Sequence, residues 1–214
     1  AVQLVGLAVL ATAGAAYPRL VPAVYLPLIV LAALAAARWL DTVPGARNEP
    51  GALREAARDP HTWIMSLLYI GTFGSFIGFA FAFGQVLQIN FAAGGQSAAQ
   101  ASLHAAQIAF IGPLLGSLSR VYGGKLADRI GGGRVTLAVF AGMILAASVL
   151  VAVSTLDDGG PGDATAVTMI GYVVGFIALF LLSGIGNGSV YKMIPSIFDA
   201  RSRSLDVGEA QRAN

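Results

Sequence analysis

Six long apolar stretches, separated by short segments that hold nearly all of the charges, dominate this sequence. They cover residues 1–16, 20–40, 62–89, 104–124, 134–155 and 166–198. A hydrocarbon core about 30 Å thick needs about 20 helical residues to cross it, and the second to fifth stretches fit that requirement. Only 11% of the 214 residues are charged, against roughly 25% in soluble domains. We therefore predict an all-α fold, a polytopic membrane helical bundle with the lipid bilayer as its solvent.

The first and last stretches depart from the spanning length. Residues 1–16 would form about 24 Å of helix, and the sequence starts without Met, so we interpret them as the end of a longer span. A signal peptide is the rival interpretation because Ala11–Ala16 is rich in small residues, but no basic segment precedes it. Residues 166–198 would form about 50 Å of helix. That segment is expected to tilt, to emerge from the membrane, or to bend near Gly184–Ser189 and Pro195.

Basic residues alternate from one connection to the next. Lys and Arg occur in 41–60, directly after residue 124 and in 199–214. By contrast, 90–104 has no Lys or Arg, and the charged residues of 154–164 are all Asp. Lys and Arg are enriched in cytoplasmic loops of membrane proteins. We therefore expect the basic connections to be cytoplasmic, with Arg19 as the single exception.

The uncharged segment Tyr69–Phe91 combines glycines with aromatic rings. On a helix with 100° per residue, small residues fall on one face and rings on the opposite face. Small residues allow close helix packing in lipid, so we predict a packing seam on the small face. The aromatic face would contact lipid, fill the core or border a site. The small face contains Gly71, Gly74, Ser75, Gly78 and Ala82, and the aromatic face contains Tyr69, Phe73, Phe76 and Phe83.

Arg120 lies near the end of an otherwise uncharged span. A charge within a membrane costs at least about 2.5 kcal/mol on insertion scales. Two interpretations stay open. Lys125 follows five residues later, so Arg120 could snorkel to the cytoplasmic headgroups. Alternatively, Arg120 faces an internal cavity and holds a flat oxyanion, which its planar guanidinium matches with two hydrogen bonds.

Four segments resemble the nitrate/nitrite porter family of the major facilitator superfamily. "GGKLADRIGGGR" is similar to the superfamily's cytoplasmic loop between the eighth and ninth spans. The other three resemble the porter family: the tail of its first signature in the fifth span, its seventh span, and the tenth span with its second glycine-rich signature. The segments are Gly123–Arg134, Val2–Val5, Gly71–Gln85 and Gly184–Phe198.

The resemblance implies part of a twelve-span fold. Residues 1–40 would contain the end of the fifth span and the sixth, 41–60 the cytoplasmic loop between the two halves, 61–198 spans seven to ten, and 199–214 a cytoplasmic loop. The first four spans, most of the fifth and the last two would be absent. These 214 residues would then be an inactive fragment, with the missing spans as partners in a transporter that is monomeric when complete. Its location would be the bacterial plasma (inner) membrane.

The resemblance also implies residue roles. Arg120 matches the arginine of the eighth span that holds the anion, while Tyr69 and Phe73 match ring positions that line the site. The glycine-rich signature of the tenth span, where helix sliding and bending accompany transport, is matched by Gly184, Gly186, Asn187 and Gly188. A second arginine of the site belongs to the N-terminal half of the family.

The expected function is secondary transport of nitrate and nitrite by alternating access. Every Asp and Glu lies in a loop or at a span end, whereas proton-driven transporters usually carry an ionisable acid within their spans. We therefore favour nitrate/nitrite exchange over proton-coupled nitrate symport. A helical scaffold or channel subunit that does not transport is the alternative from a different class. Arg120 would discriminate between these classes by the surroundings that it faces.

Other kinds of function are not expected. No nucleophile, base and orienting group converge, so we predict no enzyme and no catalytic residue. There is no Cys, and His61 and His104 lie far apart in the sequence. The glycines of Gly184–Ser189 follow an apolar span rather than a strand, so they do not form a dinucleotide site. We expect no cofactor, no metal and no nucleic-acid partner.

Overall fold

The computed structural model describes residues 19–40, 51–157 and 166–204, and all of their regular structure is helical. A π-helical segment, Ile70–Gly74, continues one α-helix into the next, and we call it the π-turn. The all-α prediction is confirmed. The α-helices, numbered from the N-terminus, are α1 (Leu20–Trp39), α2 (Ala52–Arg58), α3 (Pro60–Tyr69), α4 (Ser75–Ala93), α5 (Ala98–Ala109), α6 (Ile111–Ile130), α7 (Gly132–Asp157) and α8 (Ala166–Ser204).

The chain divides into two compact units, Ala1–Ala52 and Leu53–Asn214. The first contains α1, whose 20 residues are about 30 Å long, with Pro27 inside the helix and Arg38 in its last turn. The second contains α3 to α8 and, with them, every candidate site residue. The predicted stretch 1–16 lies outside the described residues, as do 41–50 and 205–214. The boundaries assigned to the cytoplasmic loops therefore remain predictions.

Five helical segments of the described chain are long and apolar enough to cross a membrane. They are Pro22–Trp39, Pro60–Ala93, Ala98–Ile130, Gly132–Leu156 and Val167–Ile197, which correspond to the second to sixth apolar stretches. Large apolar side chains on these segments are exposed, including Leu67, Leu137 and Val167 at 70%, 73% and 78%. Such a surface suits lipid, because hydrocarbon does not penalise exposed apolar groups.

Local sequence signals set several helix ends. The Asp59 carboxylate accepts a hydrogen bond from the backbone N–H of His61 at 3.0 Å and caps α3. Ser97 and Gln100 form a capping box at the start of α5, in which each side chain bonds the other residue's backbone N–H. Gly131 ends α6 with φ of +91°, which a residue with a side chain rarely adopts. These signals fix the points at which the chain reverses between spans.

Helix α8 lies at the centre of the second unit and packs against α4, α6 and α7. Its rings meet those of α4: Phe83 stacks on Phe176 with centroids 5.0 Å apart, and Phe76 meets Phe180 edge-on at 5.4 Å. Phe83 and Phe180 are fully buried. The aromatic face of Tyr69–Phe91 therefore fills the core here, and the lipid-contact interpretation is wrong for Phe83.

The prediction of a packing seam on the small face of that segment is wrong for two of its five residues. Gly74 and Gly78 are exposed in the described part of the chain, and a Cβ built on Gly78 would meet nothing within 4 Å. The tight seam lies instead between α6 and α8. A Cβ on Gly123 would clash with the Ile185 carbonyl, and a Cβ on Gly188 with the Arg120 carbonyl. Glycine is required there because the backbones touch.

The last stretch runs as one continuous helix. Helix α8 has 39 residues, about 58 Å, and continues through both Gly184–Ser189 and Pro195. That length is nearly twice the hydrocarbon thickness of about 30 Å. The helix stays continuous at both sites, so its excess length is accommodated by tilt, by a bend within the continuous helix or by emergence from the membrane.

Candidate functional site

Arg120 projects from α6 towards α8, where its Nη2 donates a hydrogen bond to Asn187 Oδ1 at 3.2 Å. Asn187 is 3% exposed and Arg120 is half-buried. Gly188 allows this arrangement, since its α-carbon lies against the Arg120 backbone carbonyl. The close α6–α8 seam thus presents the guanidinium directly to the middle of α8.

Aromatic rings surround the same guanidinium. Its central carbon lies 6.0 Å from the centroid of the Phe73 ring and 5.7 Å from that of the Tyr191 ring. Tyr69 stacks on Phe73 at 5.3 Å and meets Tyr191 at 6.3 Å. These distances permit cation–π attraction, which strengthens when water is excluded.

A small cavity opens beside Arg120. Its volume is about 100 Å³, roughly three times the space that one water molecule occupies in the liquid, about 30 Å³. Drug-sized ligands occupy pockets of roughly 300 Å³ or more, so this cavity suits a very small ligand. Its walls are Phe73, Phe76, Gly116, Ser117, Arg120, Gly184 and Asn187.

Arg120 has no carboxylate partner within the described residues. The described contacts of acidic side chains include Lys192 with Asp128 at 3.3 Å and the imidazole of His61 with Asp59 at 3.2 Å, and neither involves Arg120. The hydrogen bond from Arg120 goes to the neutral amide of Asn187 instead. The positive charge is therefore available to an anion that enters the cavity.

The structure brings together five of the seven residues predicted for the site: Arg120, Tyr69, Phe73, Gly184 and Asn187. Gly188 lies outside the cavity wall and packs closely against the backbone carbonyl of Arg120. Gly186 does not border the cavity, because its α-carbon faces Val139 and Thr72.

Sequence reasoning did not assign three wall residues of the cavity to the site, nor the ring of Tyr191 beside the guanidinium. Tyr191 follows Asn187 by four residues, and Ser117 precedes Arg120 by three. Residues three or four apart share a helix face, so this spacing could have identified both. Phe76 follows Phe73 by three residues and Gly116 precedes Arg120 by four, so the same spacing places these two wall residues on the site faces of their helices.

A second, larger cavity adjoins the rings of Tyr69 and Tyr191. It measures about 470 Å³ and is lined by Thr62, Met65, Ser66, Tyr69, Ile70, Tyr191 and Ile194. Tyr191 lines this cavity and also lies 5.7 Å from the Arg120 guanidinium. The Tyr69–Tyr191 ring pair is therefore at the boundary between the larger cavity and Arg120.

The sequence profile of the Major Facilitator Superfamily matches residues 2–210. The chain belongs to the Major Facilitator Superfamily. This membership, together with the five apolar helical spans, identifies a multi-pass protein of the bacterial plasma membrane. This superfamily consists of transporters, so the membership agrees with the prediction that the chain does not belong to an enzyme family.

Curated relatives include named nitrate and nitrite transporters. The nitrate/nitrite transporter NarU of Salmonella typhimurium is 34% identical over 175 residues, which are 82% of this chain and 34% of NarU. The probable nitrate/nitrite antiporter NarK2 of Thermus thermophilus is 39% identical over 187 residues, 86% of this chain and 39% of NarK2. The nitrite extrusion protein of Bacillus subtilis is 30% identical over 150 residues, 70% of this chain and 33% of that protein.

The chain thus spans about a third of the length of the curated relatives that it matches. The predicted resemblance to the nitrate/nitrite porters is confirmed by these relatives.

Proposed function

We propose that this chain forms part of the substrate site of a secondary transporter that exchanges nitrate and nitrite across the plasma membrane. The observation that carries the proposal is the guanidinium of Arg120, which borders a small cavity without a carboxylate partner in the described part of the chain. The relatives named as nitrate/nitrite transporters support the substrate class.

The chemistry of the cavity fits a flat oxyanion. A guanidinium has five N–H donors in a rigid plane, and one of them goes to Asn187. The remaining donors can grip two oxygens of nitrate or nitrite at once. The Phe73 and Tyr191 rings approach the same group, and ring edges carry partial positive charge. The rings can therefore exclude water without repelling the anion.

Exchange is favoured over proton symport by the placement of acids. In the described spans, the one carboxylate is Asp128, which lies two residues before the end of α6 and pairs with Lys192. An empty site with a buried positive charge is costly to carry through the closed state, and a bound oxyanion neutralises that charge. The loaded site should therefore reorient more readily than the empty one.

The transport cycle would follow the rocking of two helical halves around a midplane site. In this proposal the N-terminal half supplies a second arginine, and the complete transporter works as a monomer. The described bundle, with α8 packed against α4, α6 and α7, would move as part of the C-terminal half.

The test is nitrate entry into proteoliposomes that contain the complete transporter with this chain in place. Four conditions are needed: liposomes loaded with nitrite or left empty, each with and without an inward proton gradient. We expect rapid entry of labelled nitrate when nitrite is inside, and little dependence on the proton gradient.

The other outcomes discriminate between the alternatives. Entry that requires the proton gradient and ignores internal nitrite would contradict exchange and indicate symport. No entry in any condition, with folded protein in the membrane, would contradict transport and favour a helical scaffold. An Arg120→Ala variant provides the background rate, because it removes the charge on which the site depends.

A further inference from the structure

The π-turn lies against a small polar surface of α8. Ser183 is 0% exposed, and its Oγ donates a hydrogen bond to the carbonyl of Thr72 at 2.6 Å. Three residues later, Gly186 leaves room for Thr72, because a Cβ on Gly186 would lie 2.9 Å from Thr72 Cγ2. We call Ser183 and Gly186 the π-turn seat. This contact explains why Gly186 faces away from the Arg120 cavity.

Hydroxyl groups satisfy several backbone carbonyls in and before the π-turn. Thr72 Oγ1 donates to the Leu68 carbonyl at 3.1 Å, and Ser75 Oγ donates to the Gly71 carbonyl. Hydrogen bonding from i to i+5 interrupts the regular α-helical pattern, and within a bilayer freed backbone groups must find partners inside the protein. Of the three hydroxyls, that of Ser183 is the one supplied by another helix.

The π-turn sets the relative rotation of the rings on either side of it. One residue corresponds to about 100° of rotation in an α-helix. Tyr69 precedes the turn and stacks on Phe73 within it, whereas Phe76 follows the turn and packs edge-on against Phe180. If the turn relaxed to α-helical geometry, Tyr69 would rotate away from Phe73 and Arg120, or Phe76 would withdraw from the core.

We propose that Ser183 is a positioning residue, which holds the π-turn and thereby orients Tyr69 and Phe73 towards Arg120. The effect on nitrate rests on the proposed function, whereas the effect on the π-turn does not. Ser183 touches neither the cavity nor the guanidinium, so it would act only through the Thr72 carbonyl.

The first experiment measures amide hydrogen exchange of residues 68–76 in the reconstituted protein without nitrate. Ser183→Ala removes the donor, and Ser183→Cys replaces the hydroxyl with a larger group that is a much weaker donor. Ser189→Ala is the matched control, since Ser189 is also 0% exposed on α8 and donates to a backbone carbonyl, that of Gly132 at 2.9 Å. We expect faster exchange at 68–76 in both Ser183 variants and unchanged exchange there in the control.

The second experiment measures nitrate uptake by the same variants. Loss of one net hydrogen bond corresponds to about a fivefold change in equilibrium, so we expect half-saturating nitrate to rise about fivefold in Ser183→Ala. The maximal rate should change by less than about twofold, because the loss affects binding geometry rather than reorientation. Ser189→Ala should keep the wild-type half-saturating concentration.

Unchanged exchange at 68–76 in both Ser183 variants would overturn the inference. The inference would also be overturned if Ser183→Ala and Ser189→Ala had equal effects on amide hydrogen exchange at 68–76 and on half-saturating nitrate. Both serines would then act only through general packing. If the wild-type protein takes up no nitrate, the proposed function fails. The amide hydrogen-exchange experiment still decides the role of Ser183 in the π-turn, because it does not require transport.

Discussion

At the scale of single residues, the site depends on the shape of the Arg120 side chain as well as on its charge. The guanidinium donates to Asn187 at 3.2 Å and still presents further donors to the cavity. An ammonium group would keep the positive charge but would lose the planar two-point grip on an oxyanion. Arginine and lysine insert into membranes at similar cost. The transport rates of the wild type and an Arg120→Lys variant can therefore be compared at similar amounts of folded protein.

Arg120→Lys should therefore abolish most transport without loss of protein. We expect nitrate uptake in proteoliposomes to fall by about tenfold or more, which corresponds to about 1.4 kcal/mol of lost transition-state stabilisation. Arg129→Lys is the control, because Arg129 is an exposed residue in the last turn of α6. Wild-type uptake by Arg120→Lys would mean that Arg120 snorkels to the headgroups and holds no anion.

Asn187→Asp should place a permanent carboxylate beside the guanidinium, 3.2 Å from Nη2 if the side chain keeps its position. A fixed anion at this position would compete with the substrate for Arg120. We expect half-saturating nitrate to rise by about tenfold or more, while the melting temperature in detergent stays unchanged or increases. Asn187→Ala separates the two effects, since it removes the amide without adding a charge. Nitrate affinity that is equal in wild type and Asn187→Asp would contradict the assignment of the site.

The sequence was sufficient to single out Arg120, because a charge in an apolar span is expensive and therefore conspicuous. Asn187, Tyr69 and Phe73 came from the family resemblance. Tyr191 was missed because an aromatic residue is unremarkable near the end of a span, although it follows Asn187 by four residues. The approach of α6 to α8 places its ring 5.7 Å from the guanidinium. Residue type identifies groups that are costly to bury, whereas the choice of neighbours depends on packing.

At the scale of helices, the main difference between expectation and structure has one physical source. The expected small face of Tyr69–Phe91 was drawn at a constant 100° per residue, but residues Ile70–Gly74 form a π-turn. The i to i+5 pattern changes the rotation between residues before and after it. Gly71 consequently faces Phe140, whereas Gly74 and Gly78 are exposed in the described structure. Span positions were predictable from hydropathy, but the faces were not.

The α6–α8 seam predicts a contrast between two glycines. Gly123→Ala would drive a methyl group into the Ile185 carbonyl, so the helices must separate. Overpacking of this kind costs typically about 1–3 kcal/mol, and the melting temperature in detergent should fall clearly. Gly78→Ala is the matched change on α4, where a Cβ meets nothing within 4 Å, and it should leave the melting temperature unchanged or slightly raised. Equal losses in both variants would contradict the location of the seam.

At the scale of the whole molecule, the distribution of charge gives the orientation of the described spans. Basic residues lie in the last turns of α6, in the first turn of α7 and in α2, whereas Gly94–Ser97, which joins α4 to α5, carries neither Lys nor Arg. By the positive-inside rule the former face the cytoplasm and the latter the exterior. The rule depends on the membrane rather than on contacts within the protein, so its prediction is independent of the packing described above.

Cysteine labelling in intact cells tests this orientation, and the absence of native Cys makes single-cysteine variants unambiguous. Ala99→Cys and Gly133→Cys are suitable positions, since both residues are exposed and a Cβ on Gly133 meets nothing within 4 Å. A membrane-impermeant maleimide should label Ala99→Cys in intact cells and Gly133→Cys only after permeabilisation, because the span Ala98–Ile130 separates the two residues by one crossing of the membrane. Labelling of both variants after permeabilisation is the control for reactivity. The reverse pattern in intact cells would show that the basic segments face outwards and would contradict this orientation.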